Sequence, residues 1–316
     1  MKIWIFLFLL FLAFPAFSQV TRDTSQAQSI LKEADQAFIG AEYDQAREKL
    51  AQVARMYEAV NDWPNWIAVH NRISQCLIRQ GNPDEALKMA LLAQQKLEES
   101  LSRTHLLEAD LHSNLGEIYL NKGRNDLALA NFQISLARYQ DFYPDQHPAT
   151  ATAYANLAIV YLNTGNWDLA LEHEMEALRI RQRLYGNEHP DLAASYNDLG
   201  LIYSGQSNRT QARPYYQQAR AIYERVYGAN HPKIANAYVN LAIIDRQEAQ
   251  YEAALTNFEK ALNIWQNRYG AEHPTMAFAT SNIGQVYADQ GAFPLALAYQ
   301  ERALKIYQKN YGDKHP

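Results

Sequence analysis

Apolar and polar positions between Pro148 and Tyr185 alternate with the period of an α-helix. Tyr154, Leu157, Ala158 and Tyr161 stand at offsets of 3, 4 and 7, which puts them on one helical face. Asn163-Thr164-Gly165-Asn166 interrupts the pattern, and glycine suits the left-handed turn that follows a helix end. Leu169, Ala170, Ala177, Ile180 and Leu184 then mark a second helix, closed by Tyr185-Gly186-Asn187-Glu188. Pro190 falls in the first turn of a third helix, where its missing N–H costs no hydrogen bond, with His189 at or beside the cap.

The same two-helix unit recurs with a step of 42 residues, seen in His147-Pro148, His189-Pro190, His231-Pro232, His273-Pro274 and His315-Pro316. A tyrosine opens each connector (Tyr143, Tyr185, Tyr227, Tyr269, Tyr311), followed by glycine in all but the first, which has Pro144. Stepping back reaches His105-Leu106 and Trp63-Pro64. The small residue of the first helix recurs as Gly116, Ala158, Gly200, Ala242 and Gly284. The turn residue recurs as Gly81, Gly123, Gly165, Ser207, Ala249 and Gly291. Ala86, Ala128, Ala170, Ala212, Ala254 and Ala296 mark the second helix. An earlier unit fits with a two-residue shift through Ala34, Ala41-Glu42-Tyr43, Ala46 and Val53. Seven helix pairs are expected, near residues 24–62, 63–104, 105–146, 147–188, 189–230, 231–272 and 273–314, with no linker between them. One pair cannot bury its apolar face alone, so the pairs stack into an all-α solenoid of antiparallel helices.

The order of small residue, tyrosine, turn glycine, alanine and aromatic in these units resembles the tetratricopeptide repeat. The 42-residue period with Tyr-Gly-x-x-His-Pro is similar to the subfamily of kinesin light chains and nephrocystin-like proteins. The resemblance implies a right-handed superhelix whose first helices line a concave groove that binds a protein or peptide. It further implies that the asparagine before the Leu-Gly/Ala step touches the ligand backbone. Here that position is Asn114, Asn156, Asp198, Asn240 and Asn282. An amide both donates and accepts, which suits a peptide unit, whereas Asp198 only accepts. Neighbouring groove positions include Asp110, Glu117, Ile159, Leu201, Asn236, Ile243, Arg246 and Phe278. Only Arg246 among the groove positions is cationic, which disfavours a clamp for a terminal carboxylate. Asp245 stands where other units have tyrosine and reads as a loosened repeat.

Composition narrows the picture at three points. The net charge of −5 is spread without a basic stripe, which argues against nucleic acid. Cys76 is the single cysteine, so no internal disulfide forms; it reads as a buried core residue. Lys2, the apolar run Ile3–Phe14, Pro15 and Ala16-Phe17-Ser18 read as a signal peptide over residues 1–18, cleaved after Ser18. The mature chain is then exported, to the periplasm or beyond, with no membrane span.

No catalytic constellation, cofactor motif or metal site is expected. Consecutive periodic histidines stand about 10 Å apart for packed helices, too far to share a metal. Glu172-His173-Glu174 lacks a second histidine at helical spacing. The leading expectation is therefore an exported scaffold for a polypeptide partner. The alternative is a sensing or docking region of a larger signalling or caspase-like protein, with its effector beyond residue 316. The last pair has no polar cap, so Leu304, Ile306 and Tyr307 are expected to be partly uncovered.

Overall fold

The computed structural model describes residues 25–100, 106–143 and 147–312, so the signal segment lies outside the described residues. The described residues are helical throughout, with short turns between. Helix α1 covers 25–39. It is followed by α2 (Tyr43–Ala59), α3 (Trp63–Arg79), α4 (Pro83–Ser100), α5 (Leu106–Asn121) and α6 (Asn125–Phe142). Then come α7 (Pro148–Asn163), α8 (Trp167–Tyr185), α9 (Pro190–Gly205) and α10 (Arg209–Tyr227). Last are α11 (Pro232–Gln247), α12 (Tyr251–Tyr269), α13 (Pro274–Asp289) and α14 (Phe293–Tyr311). The chain forms two compact units, one within Met1–Asp145 and one within Gln146–Pro316. Within each, every helix packs on the next, giving an all-α solenoid of helix pairs.

Each unit has its own core. Leu50, Val53, Ile67, Cys76 and Leu115 belong to the first, and Leu192, Leu199, Ile234, Phe258 and Ile283 to the second. The small residue of the first helix is required by an aromatic ring on its partner. A Cβ on Gly116 would meet Phe132, and one on Gly200 would meet Tyr216, each at 2.5 Å. Ala128, Ala170, Ala212 and Ala254 are fully buried, so the helices approach closely there. Of the residues that mark the second helix, Ala170, Ala177 and Ile180 are buried, whereas Leu169 and Leu184 are 40% and 36% exposed. At the last helix Leu304 is 54% exposed, but Ile306 is buried against the second core, contrary to expectation. It turns inward beside Ala303, whereas Leu304 turns outward.

The connector motif has a physical account. His147, His189, His231 and His273 are N-caps, and each Nδ1 accepts from the backbone N–H two residues on, at 3.2–3.3 Å. Proline follows as the first helical residue. Tyr185, Tyr227 and Tyr269 stack on the following histidine at 3.9, 4.2 and 4.6 Å between centroids. The intervening glycines combine positive φ with extended ψ, as in Gly228 (φ 76°, ψ 162°), a region open essentially to glycine alone.

The turns within the pairs also need positive φ. Ser207 (φ 59°) and Ala249 (φ 58°) adopt it without being glycine, at a cost of about 1 kcal/mol each. Ala249→Gly is therefore expected to stabilise the chain by roughly 0.5–1 kcal/mol, net of the added freedom of the unfolded chain. Gly200→Ala is expected to destabilise it by about 1–3 kcal/mol through overpacking on Tyr216. Urea midpoints of the two variants should move in opposite directions.

Candidate functional site

Neighbouring first helices approach one another in both units, α3 with α5, α7 with α9 and α11 with α13; no two second helices meet to the same extent. Elements that crowd together lie on the inside of a bend, so the first helices form the inner face of each unit. The five positions expected to touch a ligand all lie on first helices, but they are not equivalent. Asn114, on α5 of the first unit, is 2% exposed. Its amide donates to Asn71 Oδ1 at 2.6 Å and to Asn71 O at 3.3 Å, and Asn71 donates to Asp110 O. That side chain ties two repeats together and is not open to a ligand.

Asn156, Asp198, Asn240 and Asn282 lie on α7, α9, α11 and α13 of the second unit, and all are half-buried. Asn240 donates to Asn197 Oδ1 at 2.9 Å, and Asn197 donates to Asp198 Oδ1 at 3.3 Å. Asn282 donates to Phe278 O at 2.9 Å. Each engaged amide keeps its carbonyl oxygen as an acceptor. Ile159, Leu201 and Ile243 are half-buried three positions beyond Asn156, Asp198 and Asn240 on α7, α9 and α11, and Phe278 on α13 is 47% exposed. The face thus combines a polar row with apolar contacts. Repeat spacing of 8–10 Å between helices matches about three residues of extended chain.

The α8–α9 region departs from the repeat. Phe132, Tyr216 and Phe258 occupy a buried position that in α8 holds Glu174. Tyr139, Tyr223, Trp265 and Tyr307 occupy a position that in α8 holds Arg181. Glu174 is fully buried, and Arg181 is 8% exposed. Arg181 Nη1 lies 3.5 Å from Glu174 Oε1 and donates to Ser195 Oγ at 2.6 Å. Burial, and then the Asp198 charge, push the Glu174 carboxyl up to about 8, with Arg181 pulling the other way. Burial pushes Asp198 up to about 6 against the Asn197 hydrogen bond and Arg181. Two carboxyls in a poorly solvated place feel one guanidinium, which pairs with Glu174 alone, so the group retains a proton near neutrality. Position-by-position comparison of the repeats could have found this cluster, because an acid and a base replace aromatics two turns apart on one helical face.

Asp245 is not a loosened repeat. It is 2% exposed, with Oδ1 accepting from Arg213 Nη1 at 2.6 Å and Oδ2 from Asn257 Nδ2 at 2.7 Å. Arg213 also reaches Glu248, so this network ties α10, α11 and α12. Arg246 faces elsewhere, 3.6 Å from Asp289. The run Glu172-His173-Glu174 disperses. His173 packs by Tyr161 and bonds Leu169 O, while Glu174 enters the core. Among the described residues no group of His, Cys, Asp and Glu is placed to hold a metal, and no helix is long and apolar enough to cross a membrane.

The folded chain holds a proton on the Glu174–Asp198 pair that the unfolded chain releases above pH 4.5. Stability from this source is full below pH 4.5 and is lost as pH rises toward about 8. The slope is at most about 1.4 kcal/mol per pH unit per proton. Urea midpoints at pH 5, 6.5 and 8 should fall across the series and flatten in Glu174→Gln. An equal slope in the variant would place the titration elsewhere.

The model of the tetratricopeptide repeat matches residues 107–182, 156–225, 191–264 and 233–309. No curated protein matches the chain. Among solved structures, BtubC (BKLC) from P. vanneervenii is 25% identical with a TM-score of 0.58, over 75% of this chain and 93% of that one. A putative kinesin light chain with nearly identical TPR-like repeats from Podosopora anserina is 19% identical with a TM-score of 0.53, over 64% and 96%. The Rap conjugation gene regulator of plasmid pLS20, solved in complex with the Phr* peptide, is 17% identical with a TM-score of 0.62, over 90% and 76%. Helix pairs recurring every 42 residues, joined through His-Pro caps and matched by the family model from 107 to 309, show that the chain belongs to the tetratricopeptide repeat family.

Proposed function

We propose that this protein is an exported, non-catalytic scaffold that holds an extended polypeptide on the inner face of its second unit. The observation that carries the reading is the row Asn156, Asp198, Asn240 and Asn282, half-buried on consecutive first helices beside Ile159, Leu201 and Ile243. Side-chain amides recognise the backbone of a peptide whatever its sequence, and the apolar positions select its side chains. The pLS20 regulator, similar in fold, was solved with a peptide, which supports the reading by analogy. Export rests on the leader sequence alone, with cleavage after Ser18.

A pull-down from an envelope extract with residues 19–316 tests this beside the triple variant Asn156→Ala, Asn240→Ala, Asn282→Ala. The expected result is a partner retained by the parent and weakened at least about tenfold in the variant, the loss of one or two net hydrogen bonds. A partner bound equally by both would move the interface off the inner face. Amino-terminal sequencing of the exported protein should read from Gln19.

A further inference from the structure

The connectors before α11 and α13 border an open cleft of about 790 Å³ lined by Tyr227, His231, Lys233, Trp265, Arg268 and Tyr269, with Asn230 and His273 also in its wall. Its charge is not that of the repeat. Positions equivalent to Lys233 hold Ala149, Asp191 and Thr275, and those equivalent to Arg268 hold Phe142, Leu184, Val226 and Asn310. Both cations are therefore particular to this junction.

The ion pair of the neighbouring junctions is also absent here, and with it the connector carboxylate. At the junction before, Arg225 Nη1 bonds Glu188 Oε1 at 2.9 Å, and at the junction after, Lys309 pairs with Glu272. The corresponding residues here are Asn267 and Asn230. Among the described residues no carboxylate lines the cleft, and neither Lys233 nor Arg268 has an ion-pair partner. Lys233 Nζ stands only over tyrosine rings, 5.4 Å from Tyr223 and 5.8 Å from Tyr227. Two unneutralised cations beside aromatic walls form a site of one sign, where an anion gains from both.

We infer that this cleft binds an oxyanion, carboxylate or phosphate, carried on the polypeptide that the inner face holds. The inference rests on the proposed peptide reading for its source of anion, and Asn236, which borders the cleft, lies on the inner-face helix α11. His231 reports on occupancy. Burial first, then Lys233 on α11 and Arg268 on α12, hold its pKa below the usual histidine value. Tyr227 of α10 stacks on its ring, and His273 faces the same cleft. An anion between the two cations offsets their charge and raises the His231 pKa.

NMR titration of the purified chain, following the His231 ring, tests the inference with three probes: inorganic phosphate, a capped hexaglutamate peptide and a capped phosphoserine peptide. Capped hexaglutamine is the control. Saturable shifts with an anionic probe, an upward move of the His231 pKa, and about tenfold weaker binding in Lys233→Gln/Arg268→Gln are expected. Asn230→Glu, which restores the carboxylate that neighbouring connectors carry, should block binding while leaving the fold intact. Response to both peptides means that carboxylate suffices, and response to the phosphoserine peptide alone identifies phosphate. Binding of inorganic phosphate without either peptide would keep the anion site and sink the polypeptide as its source. No saturable shift with any probe, or binding undiminished in the double variant, would overturn the inference and leave the inner-face reading standing.

Discussion

Close contact between a small residue on a first helix and a large side chain on its partner, an aromatic ring at Gly116 and Gly200, is the constraint on which the helix pairs depend. Gly116 under Phe132 and Gly200 under Tyr216 leave no room for a methyl group. Within a pair this contact sets how closely the two helices approach, and the first helices carry the inner face with its row of amides. The cap histidines then aim each new pair, because Tyr, Gly, His and Pro specify the path of the connector residue by residue.

Where the pattern is broken, the breaks cluster. Glu174 and Arg181 replace two aromatics and interact electrostatically with Asp198, the one acid in the row of amides. Burying such a group adds little stability, since desolvation offsets most of the attraction. A hydrophobic pair would pack that position at least as well, so the charges are not explained by stability. Asp245 with Arg213 and Asn257 shows another outcome, a polar position fully satisfied across three helices. In the cleft between the His231 and His273 connectors the break consists of charges without counter-charges. These departures are where one repeat differs from another, and binding specificity in an array of near-copies has to come from such differences.

Much of this was legible in the residues. Helix pairs, turn glycines, cap histidines and the alanines of close approach follow from local backbone rules and period, which act within a few residues of where they are read. The positions of the amides along the chain were legible for the same reason. Their availability was not. Asn114 and Asn240 have the same place in the repeat and each donates to the asparagine 43 positions earlier, yet Asn114 is closed to solvent while Asn240 is only half-buried.

The sequence by itself thus determined the period, the helix pairs, the family and which residues share a helical face, because each depends on short-range geometry repeated in register. Only the tertiary structure decided which amides stay open, that Asp245 finds Arg213, that Glu174 is buried beside Arg181 within reach of the Asp198 charge, and that Lys233 and Arg268 face a cleft without an acid. Those outcomes depend on side chains some 14 to 43 residues apart meeting across helices, and on how much water remains between them. No local pattern carries that information.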